Sequence, residues 1–231
     1  MDIFQCYSTP RSGHHSVLHW IMHQHNYVTK HITPTIINRN RFEVVNDKYK
    51  AILYDNRGNQ DQPELPTFNK SANRILVAYE GIEKIVTLQI KHQIQATQII
   101  ILRDFFNTAA SIITKLNNIP TTMIDTWTDC ALGILENRGY FINYNLYHQS
   151  QLYRSNICVD LNLHFTDFGT NYIPTSAQGS SFTGRNKLDK SQLNQRWRTI
   201  SQKKLQSWIK TYPYQIDLSR QIFGNIDKSL Y

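Results

Sequence analysis

The feature that most constrains this chain is a grammar it repeats three times: a short strand-forming run, a tight polar loop, then apolar residues at helical spacing. Ile3–Tyr7 leads through Ser8–Gly13 into His14–Gln24, where Val17, Leu18, Ile21 and Met22 recur as on one helical face. Ile75–Tyr79 is followed by Ile82–Ile94, with Ile82, Ile85, Val86 and Ile90 near one face. Ile99–Leu102 is followed, after Arg103-Asp104, by a helix carrying Ala109, Ala110, Ile112, Ile113 and Leu116, closed before Pro120. Apolar runs with no polar alternation suit central strands covered by helices on both faces. The pattern therefore predicts an α/β fold, a three-layer α/β/α sandwich around a central, mostly parallel sheet. Ala51–Tyr54 and Phe141–Tyr144 read as further strands. Met123–Leu135, Tyr147–Leu161 and Gln192–Thr211 read as helices, the last preceded by a long loop over Thr166–Lys190 rich in Gly, Ser, Thr and Asn. A chain of 231 residues with this one grammar is expected to form a single domain over residues 1–231.

Composition narrows the partners. Lysine and arginine outnumber aspartate and glutamate 25 to 17, a formal charge of +8, which favours an anionic ligand. The basic residues are dispersed, with Lys203-Lys204 the longest run, so neither a nucleic-acid arm nor a polybasic membrane anchor is expected. Cys6, Cys130 and Cys158 are odd in number, far apart and in no metal-type spacing; reduced thiols in a cytoplasmic protein fit them best. No apolar stretch approaches the roughly 18 residues of a membrane span, and the start carries no leader-like pattern.

Open parallel sheets bind ligands beyond the carboxyl ends of their strands. Ser8–Ser16 lies at such an end and runs into a helix N-terminus, where free backbone N–H groups attract phosphate. Gly13 permits close backbone approach, Arg11 supplies a permanent charge with a planar donor fork, and Ser12 and Ser16 add hydroxyls. A Walker-type nucleotide enzyme needs a lysine and a magnesium-binding hydroxyl just after the last glycine, and this chain has His14 and His15 there. ATP-type phosphoryl transfer is thereby disfavoured.

Pro10-Arg11-Ser12-Gly13 at the end of a first strand resembles the loop Pro-Lys/Arg-Ser-Gly-Thr-Thr of the sulfotransferases that use 3′-phosphoadenosine 5′-phosphosulfate (PAPS), a P-loop NTPase-like fold. His14 and His15 replace the paired threonines. The family holds the 3′-phosphate with an arginine ending a central strand and a serine eight positions later, and Arg103 and Ser111 have that spacing. Phe141–Tyr144 and the stretch Asp160–Asp167 resemble the strand and helix end that precede the family's C-terminal segment. Phe182-Thr183-Gly184-Arg185-Asn186-Lys187 is similar to the segment that closes over the nucleotide. The resemblance implies a cofactor site made of Pro10, Arg11, Ser12, Gly13, His14, His15, Ser16, Arg103, Ser111, Gly184 and Arg185. It also implies PAPS as donor, PAP as product, no required metal, and a small-molecule acceptor.

In-line sulfuryl transfer needs positive charge at the bridging oxygen, which suits Arg11, and a base for the acceptor's proton. The resemblance places that base just beyond the strand Ile75–Tyr79, at Glu80; His14 or His15 is the alternative, since both sit at the transferring group. His15, His19 and His23 recur every four residues, a pattern that could bind a metal, but no nearby carboxylate or cysteine joins them in sequence, and solvent-facing histidines satisfy it equally well. The four tryptophans are expected in the core. The acceptor pocket is expected from residues 26–73 and the loop after Thr166, where Asp55, Asp61 and Glu64 against Arg57 hint at a cationic acceptor. A phosphotransferase on the same scaffold and a non-enzymatic nucleotide- or nucleic-acid-binding protein are the competing readings.

Overall fold

The structure, a computed structural model, describes residues 2–38, 41–56, 71–80, 96–170 and 194–224. The elements in order are β1 (Asp2–Ser8), α1 (His14–His23), β2 (Thr35–Asn38), β3 (Arg41–Val45), β4 (Lys50–Asn56), β5 (Arg74–Glu80), β6 (Thr97–Leu102), α2 (Phe105–Leu116), α3 (Thr121–Leu135), β7 (Tyr140–Asn143), α4 (Tyr144–Gln149), α5 (Gln151–Asp160), a 3₁₀ turn (Arg196–Thr199), α6 (Gln202–Thr211) and α7 (Pro213–Phe223). The strands form one sheet in the order β2-β3-β4-β5-β1-β6-β7. Strands β4, β5, β1, β6 and β7 run parallel, while β3 pairs antiparallel with both β2 and β4. The expected sandwich is therefore present.

Strand alternation builds two cores. Tyr7, Ile75, Val77, Tyr79, Ile100 and Leu102 point to one face, under α2, α3, α6 and α7 with Trp127, Trp197 and Trp208. Phe4, Cys6, Leu53, Leu76, Ala78, Ile99 and Ile101 point to the other, under α1, α4 and α5 with Trp20. All four tryptophans are buried, as expected, and Cys6, Cys130 and Cys158 are free and buried. No helix among the described residues is long and apolar enough to cross a membrane.

Some elements differ from expectation. Tyr147–Leu161 is two helices, because Ser150 leaves helical geometry and caps α5 by accepting from the Tyr153 N–H. Gln192–Thr211 is not continuous: Arg196–Thr199 is a 3₁₀ turn, and Ser201 caps α6 afresh through the Lys204 N–H. Helix α7, opened by Pro213, and strands β2 and β3 were not foreseen. Ile82–Ile94 lies outside the described residues, as does most of the expected Thr166–Lys190 loop. The start of that loop is anchored: the Gln24 carboxamide oxygen accepts from the N–H groups of Thr166 and Asp167, and Asp167 forms a two-pronged pair with Arg154.

Helix α1 is fixed at its C-terminal end by Arg74. This 2 % exposed guanidinium donates to the carbonyls of Ile21 and Gln24 at 2.8 and 2.9 Å and pairs with Asp2. A cation there satisfies the orphan carbonyls and complements the helix dipole. Replacing Arg74 with Met should leave two buried carbonyls unpaired and lower stability by about 2–4 kcal/mol in urea denaturation. A change below about 0.5 kcal/mol, the scale of a neutral surface substitution, would contradict this assignment.

Candidate active site

The central strand β1 lies between β5 and β6, and its exit loop sits where the chain's connections diverge to the two halves of the sheet. Ser8 is beside Glu80 in β5 and Ile101 in β6. Past the buried Thr9 the chain turns back, the Ser12 N–H donating to the Thr9 carbonyl at 3.2 Å. Arg11 and Gly13 both adopt left-handed backbone conformations, with φ of 68° and 84°. Gly13 is the N-cap of α1. A Cβ on Gly13 would lie 2.3 Å from the hydroxyl oxygen of Tyr144, so glycine is required for conformation and space together. The Ser16 hydroxyl donates to the Gly13 carbonyl at 3.0 Å, so its proton is used inside the loop; the Ser12 hydroxyl lies 3.3 Å from His14 Nδ1.

Arg103 follows β6 directly and is 1 % exposed, stacked over the Tyr144 ring at 5.4 Å. Among the described residues its Nε and Nη2 have no hydrogen-bond partner. Burial first of all lowers its pKa, against the opposing influence of Tyr144 and Asp104. Ser111, buried on α2, lies 3.4 Å from Nη1 of Arg196. Arg196 is pushed down to about 10 by burial, then by the charge of Arg103, with Tyr144 opposing and Arg11 adding to the depression. Arg11 is lowered by burial as well. The buried β6 arginine thus shares one electrostatic neighbourhood with the partly buried loop arginine and the partly buried Arg196, a concentration of positive charge that suits an anion.

A polar relay holds this arrangement. Asp104 caps α2 through the Asn107 N–H and accepts from the side chains of Asn107 and Asn145. Asn107 in turn accepts from the Arg196 N–H at 2.8 Å and donates to the Asn194 carbonyl, and the Asn194 amide reaches the Asn145 carbonyl. The 3₁₀ turn carrying Arg196 is therefore docked on the cap of the helix carrying Ser111.

On the other side of the loop, His15 Nε2 meets Asp55 Oδ2 at 2.8 Å, and the rings of His14 and His15 lie 4.1 Å apart. Asp55 is 3 % exposed near the end of β4. Among the described residues, His14, His15 and Asp55 are the one group whose potential ligand atoms all fall within 4.8 Å of one another. A carboxylate does join the histidines, from a strand forty residues away in sequence, where the linear pattern offered none. The helical triplet itself is not a site: His19 and His23 are buried instead of solvent-facing, His19 against Phe42 and His23 between the carbonyls of His19 and Ile32.

The fold thus brings together Pro10, Arg11, Ser12, Gly13, His14, His15 and Ser16 with Arg103 and Ser111. Glu80 closes β5 beside Ser8. Gly184 and Arg185 lie outside the described residues, as do Asp61 and Glu64. Sequence reasoning missed Arg196, Tyr144 and the Asp55–His15 contact. The first sat inside an expected continuous helix, and the other two depend on which strands become neighbours.

No family model matches the chain, and no curated protein matches it. Solved structures do. A mouse sulfotransferase, SULT7A1, complexed with PAP, superposes with a TM-score of 0.52 at 15 % identity, over 96 % of this chain and 88 % of that one. The chain therefore shares the sulfotransferase fold, at an identity that speaks for architecture alone.

Substituting Gly13 with Ala should destabilise the protein by at least about 1 kcal/mol through the left-handed backbone, and by more through displacement of Tyr144 from Arg103. An unchanged unfolding midpoint would contradict the tight Gly13–Tyr144 approach.

Proposed function

We propose that this protein is a sulfotransferase that takes the sulfuryl group of PAPS and passes it to a hydroxyl or amine of a small molecule. The observation that carries the proposal is the buried Arg103 guanidinium, whose Nε and Nη2 have no hydrogen-bond partner among the described residues, in the same neighbourhood as Arg11, Arg196 and Ser111. PAPS bears phosphate groups at the 3′ and 5′ positions of its ribose, and the two ends of this cluster suit them. The Ser8–Ser16 loop and the start of α1 would hold the 5′-phosphosulfate, with Arg11 at the bridging oxygen. Arg103, Ser111 and Arg196 would hold the 3′-phosphate. Gly184 and Arg185 would complete the cover on the nucleotide. The base would be Glu80 or one of the loop histidines.

The likeness to a PAP-complexed sulfotransferase supports this choice of cofactor over ATP. So does the absence of a lysine and magnesium hydroxyl after Gly13. A small acceptor, such as a metabolite or natural-product hydroxyl, is favoured by a chain of 231 residues. Three free, buried thiols accord with a cytoplasmic location.

Two measurements test the proposal. In a thermal-shift comparison PAP should stabilise the protein, with ATP–Mg²⁺ giving a much smaller effect. With a panel of small phenols, alcohols and amines, PAPS turnover should persist in excess EDTA. Preferential stabilisation by ATP–Mg²⁺ with phosphoryl transfer would favour a kinase instead, and salt-dependent DNA or RNA binding without response to PAP would favour a nucleic-acid protein.

A further inference from the structure

The polar relay beside Arg103 ends on an acceptor that it does not use. Asn194 donates through Nδ2 to the Asn145 carbonyl at 2.9 Å, and its own backbone carbonyl accepts from Asn107 Nδ2 at 3.1 Å. With the amide nitrogen committed to a carbonyl, turning the carboxamide over would set oxygen against oxygen, so Oδ1 is fixed as the outward acceptor. That Oδ1 is buried and has no hydrogen-bond partner among the described residues. An unmatched buried acceptor is destabilising, and a donor brought by a ligand would relieve it. Its position says which donor. Asn107 and Ser111 stand four residues apart, on one face of α2. The segment carrying Asn194 and Arg196 runs along that face: Asn107 bonds the Asn194 carbonyl and the Arg196 N–H, and Ser111 lies 3.4 Å from Arg196 Nη1.

We infer that Asn194 Oδ1 receives the ribose 2′-hydroxyl of the cofactor, so that the site selects a 3′-phosphorylated ribonucleotide over its 2′-deoxy counterpart. The inference rests on the PAPS reading of the site. Ionised phosphate and sulfate oxygens only accept, so the anionic groups cannot satisfy Oδ1. The nucleoside of PAPS carries two donors, the 2′-hydroxyl and the adenine 6-amino group, and only the hydroxyl sits on the carbon next to the 3′-phosphate. Arg103, Ser111 and Arg196 would hold that phosphate, and Asn194 is fixed beside them through Asn107, one turn of α2 before Ser111. Removing the hydroxyl would leave the oxygen unmatched, which is how a site built on a hydrogen bond rejects an analogue that lacks it. Asn145 is a positioning residue: its backbone carbonyl holds the Asn194 nitrogen, and its side-chain nitrogen is tied to Asp104 at 3.0 Å. Asn145 Oδ1 is also unmatched among the described residues. Asn194 is preferred because its segment is the one held along the face of α2 that carries Ser111.

Calorimetry on the full chain with PAP, 2′-deoxyadenosine 3′,5′-bisphosphate and inosine 3′,5′-bisphosphate reads this contact. Wild type should bind PAP about tenfold more tightly than the 2′-deoxy compound. In Asn194→Ala that ratio should fall to about one. Asn145→Ala keeps the backbone carbonyl that holds Asn194, so there the ratio should stay near the wild-type value. An Asn194 with a structural role alone would weaken both nucleotides alike and leave the ratio unchanged, which overturns the inference. Equal wild-type affinity for PAP and the 2′-deoxy compound overturns it without any variant having to fold. Loss of the ratio in Asn145→Ala but not in Asn194→Ala overturns the assignment to Asn194. A wild type that rejects the inosine compound but not the 2′-deoxy one points to the adenine amine and overturns it too. A wild type that binds none of the three defeats the cofactor reading itself, and this contact with it.

Discussion

The guanidinium of Arg103 is carried into the protein at the end of the apolar strand β6, stacked on Tyr144, with its Nε and Nη2 unmatched among the described residues. A buried, unpaired donor costs about 1–3 kcal/mol, and more when charged, so the surrounding structure has to hold it in place. Much of the site can be understood as the means of doing so. Its carbonyl accepts from Nε1 of the buried Trp127, and the next residue, Asp104, starts α2. Tyr144, which supports its face, also fills the space above Gly13. The geometry of the Ser8–Ser16 loop and that of the β6 arginine are therefore coupled through one aromatic ring.

Arg196 belongs to the same arrangement. It comes from a segment more than eighty residues beyond Arg103, and the Asp104–Asn107–Asn194–Asn145 relay fixes that segment against α2. The relay is made of neutral amides and one carboxylate, so it places a cation near two others without adding charge of its own beyond Asp104. Burial lowers the pKa of Arg196 most, and the charges of Arg103 and Arg11 lower it further, so their nearness is electrostatically unfavourable in isolation. An anion bound among them would reverse the sign of that interaction.

The sheet was legible in the sequence because its central strands are short, apolar and free of polar alternation, and because Ser8–Gly13 and Arg103-Asp104 punctuate them sharply. Arg103 and Ser111 were singled out through the family resemblance, and the fold places them at a strand end and on the helix that follows, which are local to one another in sequence. Residues that meet only through topology were not. Asp55 reaches His15 because β4 lies beside β5 and β5 beside β1, an order no linear pattern specifies. Arg196 was hidden by a helical pattern that Ser201 interrupts with its own cap. The histidine period in α1 misled for a related reason: His19 and His23 face the protein interior, where carbonyls and an aromatic ring take up their polarity. Strand β2, with Ile36 and Ile37 about half exposed, was missed because an edge strand need not bury both faces.

The central claim is that Arg103, with Ser111 and Arg196, is a phosphate site separate from the loop that opens α1. The most direct measurement is a calorimetric cycle comparing PAP with 5′-AMP, which lacks the 3′-phosphate, in the wild type and in Arg103→Ala. The account predicts that wild type binds PAP roughly 100-fold or more tightly than 5′-AMP, and that Arg103→Ala erases most of the difference while leaving 5′-AMP affinity nearly unchanged. Equal affinity of the wild type for the two nucleotides, or an Arg103→Ala variant that weakens both alike, would contradict it.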